Sequence, residues 1–129
     1  MSTSHSTAVA EALAVAALEN HGADVTLLDL RGVVTYTDYF VVCTGQNPRL
    51  TKAIADHVID AMRELGYKRP KRRESDPDGS WLLLDWGDVW LHVFTPESRA
   101  FYRLESLWGQ VPQQVVQDPA LERSATQST

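Results

Sequence analysis

The sequence predicts a single α/β domain in which a mixed β-sheet is packed with helices. Helical patterns alternate with short apolar runs along the 129-residue chain, an order of elements typical of this class. Residues 39–43 form a continuous apolar run, as in a strand that is covered on both faces. Residues 80–94 place the dipeptide Gly87-Asp88 between two apolar runs, which is a strong signal for a β-hairpin.

The first predicted elements are a helix and two strands. Residues 1–6 are rich in Ser, Thr and His and are expected to be disordered. A helix is expected to follow Thr7, an acceptable N-cap, and to end with Gly22 at the C′ position. Its apolar stripe is narrow and rich in alanine: Val9, Leu13, Ala16, Ala17 and Asn20. Residues 24–30 and 33–36 then predict two short strands joined by a turn.

Two further helices are predicted, one on each side of the hairpin. Asn47 can cap the second helix, with Pro48 at its first position, and Gly66 ends it. Its apolar face comprises Leu50, Ile54, Val58, Ala61, Met62 and Leu65. The third helix is expected to begin at Pro96 and to stop at Gly109. Its inner stripe comprises Phe101, Leu104, Leu107 and Trp108.

These elements define one domain over residues 7–109. The tail, residues 110–129, is rich in Gln, Ser, Thr and Pro without periodicity, and it is expected to be largely disordered. An exception left open is the segment 111–116. No apolar run is long enough to span a bilayer, and the N-terminus lacks the regions of a signal peptide. A soluble, cytoplasmic protein is therefore expected.

The two faces of the predicted hairpin differ in chemistry. If Trp86 lies opposite Val89, one face is wholly apolar: Leu82, Leu84, Trp86, Val89, Leu91 and Val93. The other face carries Trp81, Leu83, Asp85, Trp90, His92 and Phe94. Large aromatic residues beside a carboxylate and an imidazole are typical of a protein-binding surface. The alternative is that helices cover this face too, with Asp85 and His92 merely hydrogen-bonded at the end of the sheet.

The charge is distributed unevenly along the chain. The net charge is −5, yet five of the 12 basic residues fall in one short stretch, namely Lys68, Arg69, Lys71, Arg72 and Arg73. The rest of the chain has 7 basic and 17 acidic residues, a net charge of −10. Such a stretch on an acidic body argues against general nucleic-acid binding and allows a local contact with RNA phosphates. The alternative is a solvated loop or short edge strand around Pro70.

The sequence offers no set of catalytic or metal-binding residues. The single cysteine, Cys43, excludes a disulfide framework and a Cys-rich zinc site. A phosphate-binding loop needs several glycines, but the segment before the second helix has only Gly45. Asp85 and Asp88 flank the hairpin turn without forming an adjacent pair on one strand face, so a magnesium clamp is not expected. No catalytic residue, metal or cofactor is therefore predicted.

Four segments carry a resemblance to a known family. They are residues 37–45, residues 54–58, the hairpin strands 81–89 and 92–94, and residues 96–109, in order and with the spacing of that family. On these segments the chain resembles the ribosomal silencing factors, also called Iojap-like proteins. The resemblance implies an α/β fold related to nucleotidyltransferases but without their catalytic carboxylates.

The resemblance also implies a function. It implies binding to the large ribosomal subunit through ribosomal protein L fourteen, on the face that receives the small subunit. The bound domain would block subunit joining and repress translation when nutrients are short. Its expected partner-binding residues are Trp81, Leu83, Asp85, Asp88, Trp90 and His92.

Other functions stay open from the sequence. The chain could be a nucleotide-binding or nucleotidyltransferase enzyme, which fold analogy alone suggests. It could also be an RNA-binding module that uses residues 68–73. Pairing of free chains into a homodimer through the aromatic hairpin face is a further hypothesis.

Overall fold

A six-stranded sheet and four helices make up the computed structural model, which describes residues 4–116. The predicted class, a mixed α/β fold, is confirmed. The helices are α1 (Ser4–Glu19), α2 (Pro48–Glu64), α3 (Pro96–Tyr102) and α4 (Leu104–Leu107). The strands are β1 (Ala23–Asp29), β2 (Tyr39–Thr44), β3 (Arg72–Ser75), β4 (Trp81–Asp85), β5 (Val89–Phe94) and β6 (Gln113–Val115).

The sheet has the strand order β3-β4-β5-β2-β1-β6. The central neighbours β2 and β5 are parallel, and the other neighbouring strands are antiparallel. All six residues of β2 are buried, as the continuous apolar run predicts. Helices α1 and α2 cover one face of the sheet and form the main core with it. The other face carries a smaller cluster: Leu28, Leu30, Phe40, Val42, Phe94 and Val111.

Helix α1 begins earlier and ends differently than predicted. It already includes residues 4–6, which were expected to be disordered, and Ser6 is buried. The residue with left-handed backbone at its end is His21, with a φ of 73°, not Gly22. The Gly22 N–H donates to the carbonyl of Ala17 over 2.7 Å. A Cβ at Gly22 would lie 2.8 Å from that oxygen and 3.2 Å from Cys43 Sγ, so close approach requires the glycine.

Three other predictions for the first half of the chain meet different outcomes. The predicted strand 33–36 does not form, because the N–H groups of Val33 and Val34 both donate to Leu30 in a tight turn. The cap of α2 is confirmed, since Asn47 accepts from the N–H of Leu50 over 3.0 Å. The predicted apolar face of α2 is wrong at Leu65, which follows the helix end and is exposed.

The C-terminal region departs most from its predicted pattern. Arg103 has a φ of 53° and divides the predicted third helix into α3 and α4. Phe101, predicted to face inward, is 79% exposed as a result, and Leu107 is exposed too. Strand β6 forms within residues 111–116, the exception that the sequence left open in the tail, and it pairs with β1. Residues 117–129 of the predicted disordered tail lie outside the described residues.

Candidate functional site

The hairpin formed by β4 and β5 has the register that the sequence predicts. Asp85 lies opposite Trp90, and Trp81 lies opposite Phe94. The turn closes with the N–H of Trp86 donating to the carbonyl of Val89 over 2.9 Å. The wholly apolar face packs into the main core beneath α1 and α2. The predicted division of the hairpin into two faces is therefore confirmed.

Aromatic side chains gather on the second face of the sheet. We call this set the aromatic surface: Tyr36, Phe40, Trp81, Trp90, His92, Phe94, Tyr102 and Trp108. The ring centroids of Phe40 and Trp90 are 5.5 Å apart, and those of Tyr36 and Trp90 are 5.0 Å apart. Leu104 and Trp108 pack against the cluster beneath them. Because this cover is short, Trp81 and Trp90 are half-buried and Tyr36 and Tyr102 are exposed. The face is therefore neither fully open, as a protein-binding surface would be, nor fully covered by helices, the two alternatives that the sequence left.

His92 lies within the aromatic surface and is 6% exposed. Its Nδ1 accepts a hydrogen bond from Trp81 Nε1 over 3.1 Å. Burial lowers the pKa of His92 to about 3, so the imidazole is neutral near pH 7. Because Nδ1 is the acceptor, the single proton of the neutral ring is on Nε2. His92 Nε2 has no hydrogen-bond partner among residues 4–116.

Asp85 is held from two sides at the end of β4. Arg72 Nε donates to Asp85 Oδ2 over 3.2 Å, and the Gly87 N–H donates to Oδ1 over 2.6 Å. The Arg72 guanidinium also lies over the Trp90 ring, 4.9 Å from its centroid. Hydrogen bonds to Glu74 and then to Asp85 raise the pKa of Arg72 above its ordinary value. The carboxylate is thus part of a charged network at the margin of the aromatic surface.

The structure brings together only part of the predicted partner-binding set. Trp81 and Trp90 lie in the aromatic surface and Asp85 lies at its margin, and all three are half-buried. Leu83 is only 3% exposed, and His92 is likewise buried, with the rings of Phe40, Trp81 and Phe94 around it. These two residues support the surface from below and do not present their side chains to solvent. Asp88 is exposed, but it lines a different cleft.

The five basic residues of the predicted RNA contact do not act as one patch. Arg72 lies over the Trp90 ring at the margin of the aromatic surface, while Arg73 pairs with Asp56 of α2 over 2.8 Å. Successive side chains of a strand point to opposite faces, which separates these two arginines. Lys68, Arg69 and Lys71 instead line a cleft of about 320 Å³, together with His5, Trp86 and Asp88 among others.

Arg99 is an important residue that sequence reasoning missed. Its Nη1 donates to the carbonyl of Asp24 over 2.7 Å and to Thr44 Oγ1 over 3.0 Å. Its Nη2 donates to Thr26 Oγ1 over 3.2 Å, and the guanidinium pairs with Glu105. Arg99 therefore ties α3 and α4 to strands β1 and β2. Helical spacing gave no signal for the pair with Glu105, because the chain changes direction between them.

Two structural features are absent from residues 4–116. No group of three or more His, Cys, Asp or Glu side chains in this range could hold a metal ion. No helix in this range is both long enough and apolar enough to cross a bilayer.

Sequence comparison relates the chain to one family of proteins. The family described as "Ribosomal silencing factor during starvation" matches residues 3–129. The ribosomal silencing factor RsfS of Bacillus subtilis is 38% identical over 101 residues, which cover 78% of this chain and 85% of the relative. The chloroplastic protein Iojap of Zea mays is 37% identical over 102 residues, which cover 78% of this chain and 43% of the relative.

Structure comparison agrees with this relationship. A crystal structure of a Chromobacterium violaceum protein superposes with a TM-score of 0.74 at 29% sequence identity. The superposition covers 88% of this chain and 94% of that one. The mixed sheet with its helices is thus a fold that this chain shares with a solved structure.

Proposed function

This chain belongs to the ribosomal silencing factor family, with a ribosome-associated silencing role, and we propose that it binds the large ribosomal subunit through ribosomal protein L fourteen. The bound domain occupies the face that receives the small subunit and prevents the two subunits from joining. It acts in the cytoplasm and represses translation when nutrients are limiting. No cofactor and no chemical step are required, because the domain acts by occupying space.

The observation that carries this proposal is the aromatic surface. Helices α1 and α2 cover one face of the sheet, whereas the other face has only a short and partial cover. Trp81 and Trp90 are half-buried there, with the exposed Tyr36 and Tyr102 around them and Arg72 at the margin. Tryptophan, tyrosine and arginine are the residues that most often dominate binding energy at protein interfaces.

Charge supports a basic partner. The chain has a net charge of −5, and Asp85 and Glu74 flank Arg72 at the edge of the aromatic surface. Opposite charge on the two partners accelerates their encounter and favours the correct orientation. We expect basic side chains of ribosomal protein L fourteen to meet this acidic margin.

The geometry around the hairpin turn favours binding over catalysis. A divalent ion that supports phosphoryl transfer needs carboxylates that converge on it. Asp85 uses both oxygens in bonds to Arg72 and Gly87, and Asp88 lines a separate cleft. We therefore propose a non-enzymatic role over the nucleotidyltransferase alternative. Isothermal calorimetry with ATP and magnesium tests this point, since measurable binding would favour an enzyme.

A second contact is favoured by the cleft that Lys68, Arg69 and Lys71 line. Arg72 and Arg73 have acidic partners within the chain, whereas these three residues surround a cleft of about 320 Å³. We propose that they contact phosphates of ribosomal RNA beside the protein partner. This contact adds affinity without sequence specificity.

We also propose that free chains form a homodimer through the aromatic surface. Partly uncovered aromatic residues tend to associate when their partner is absent. Light scattering over a concentration series tests this, and a mass that stays monomeric at all concentrations would contradict it.

The experiment that tests the main proposal is subunit joining in vitro. Purified small and large subunits are mixed with and without a saturating amount of the chain, and joined particles are measured by sedimentation and light scattering. We expect fewer joined particles and a slower approach to equilibrium. The same amount of joined particles, formed at the same rate, would overturn the proposal.

A further inference from the structure

A small pocket opens within the aromatic surface beside His92. Its volume is about 150 Å³, and its walls are Trp81, His92, Phe94, Tyr102 and Leu104. An apolar cavity of roughly 150 Å³ accommodates a group the size of benzene. Sites for larger ligands usually measure roughly 300–1,000 Å³. The size therefore suits one apolar side chain and is too small for a nucleotide.

His92, which lines this pocket, has a buried hydrogen-bond donor without a partner among residues 4–116. His92 is more than nine-tenths buried, and its Nδ1 is already occupied by the Trp81 indole. The Nε2–H has no acceptor among residues 4–116, and neither has the indole N–H of Trp90 two positions earlier. Leaving such a buried donor without an acceptor is unfavourable, so a bound acceptor would be stabilised. The imidazole is neutral, which suits an uncharged carbonyl oxygen.

We propose that the pocket receives one side chain of leucine or phenylalanine size from the ribosomal protein, while a carbonyl oxygen of the same segment accepts a hydrogen bond from His92 Nε2. This inference rests on the proposed function and adds the chemistry of the residue that is recognised. Tyr102 is the most exposed wall, and its ring lies 5.7 Å from that of Phe94. A shift of this ring admits the segment to the buried donor.

The first test fills the pocket. Leu104→Trp places an indole where Leu104 now forms a wall, and Leu107→Trp is the matched control on the same short helix. Leu107 is exposed and does not line the pocket, so the control adds the same ring outside it. We expect Leu104→Trp to weaken binding to large subunits at least tenfold and Leu107→Trp to change it less than twofold. Equal binding by both variants would overturn the inference.

The second test uses the unaltered full chain and does not depend on a variant folding. The His92 Nε2–H signal is followed by ¹⁵N NMR while isolated ribosomal protein L fourteen is added. We expect a downfield shift and slower exchange of this proton with water. The indole N–H of Trp86, which already donates to the carbonyl of Lys68 over 2.9 Å, is the internal control.

Three outcomes separate this inference from the function on which it rests. An unmoved His92 signal while the ribosomal protein binds would overturn the inference and leave the proposed function intact. A downfield, hydrogen-bonded signal already present in the free chain would also overturn it, since another part of the chain or a tightly held water would be the acceptor. If the unaltered chain bound neither the ribosomal protein nor large subunits, the proposed function itself would fall.

Discussion

The guanidinium of Arg72 lies over the indole ring of Trp90, with its central carbon 4.9 Å from the ring centroid. The same guanidinium donates to Asp85, which lies directly opposite Trp90 in the sheet. Arg72 thus connects the edge strand β3 to the aromatic surface and orients the carboxylate there. A residue that belongs to a basic stretch in the sequence therefore lies against the aromatic surface in the fold.

Changes in the aromatic surface should weaken ribosome binding without unfolding the domain. Trp81→Ala removes a half-buried ring, and Asp85→Arg reverses the charge at the margin. Loss of a central interface residue typically costs about 2 kcal/mol or more, so we expect at least a tenfold weaker affinity. Co-sedimentation with large subunits measures it. Leu65→Ala is the control, because Leu65 is exposed at the end of α2, in the helix layer on the other side of the sheet. Co-sedimentation of both surface variants at the wild-type level would show that the surface is wrongly assigned.

The salt dependence of binding should report on the basic cleft. Replacing Lys68, Arg69 and Lys71 with Gln removes the cations that line it. Each phosphate contact contributes roughly 1 to the slope of log affinity against log salt concentration, so we expect a slope flatter by about 2–3. Arg73→Gln is the control, because Arg73 is paired with Asp56. An unchanged slope in the triple variant would show that these residues belong to a solvated loop and do not contact phosphates.

The buried imidazole should make stability fall in mild acid. The pKa of His92 is about 3 in the folded chain against an ordinary value of 6.5. Above pH 6.5 the His92 imidazole is neutral in both the folded and the unfolded chain. Below pH 6.5 only the unfolded chain takes up a proton there. The free energy of unfolding therefore declines by about 1.4 kcal/mol for each pH unit toward pH 3. Urea unfolding at pH 7.5 and 5.5 measures the decline.

Two histidine variants isolate this effect. His92→Phe should be less stable at pH 7.5, because the Trp81 indole loses its acceptor, and it should show a smaller decline on acidification. His57→Gln, at an exposed position of α2, should keep the full decline. The hypothesis fails if His92→Phe loses as much stability as the wild type between the two pH values.

Arg99 should matter for stability more than other arginines. Arg99→Gln removes bonds to Asp24, Thr26 and Thr44, and it leaves Glu105 without its partner. We expect the free energy of unfolding to fall by about 2–3 kcal/mol, since these bonds involve a charged and largely buried group. Arg63→Gln breaks only an exposed pair with Asp60 and should cost about 0–1 kcal/mol. Equal losses in urea unfolding would contradict the structural role of Arg99.

Local patterns predicted the hairpin and the central strand. Alternation over residues 81–94 and the glycine turn fix the register, and the register fixes which side chains share a face. The same reasoning failed at the C-terminus, where periodicity over residues 96–109 predicted one helix. The left-handed backbone at Arg103 shifts the helical phase, so Phe101 becomes exposed while Leu104 and Trp108 still pack inward. No residue type at that position signals the change.

Part of the candidate site could be predicted from the alternation of residues in the hairpin. The rest depends on contacts that form only when distant segments pack together. The paired faces of the hairpin gave Trp81, Trp90 and Asp85. The burial of His92 depends in part on Phe40 of β2, a neighbour that a hairpin pattern does not contain. The division of the basic stretch depends on where β3 begins, since strand alternation sends Arg72 and Arg73 to opposite faces.

The parallel pairing of β2 with β5 sets when the aromatic surface can exist during synthesis. Phe40 and Trp90 are neighbours in the sheet, although they are far apart in the sequence. Such non-local pairing forms slowly and only after both strands are available. A nascent chain therefore lacks the surface until both β2 and β5 have left the ribosomal tunnel.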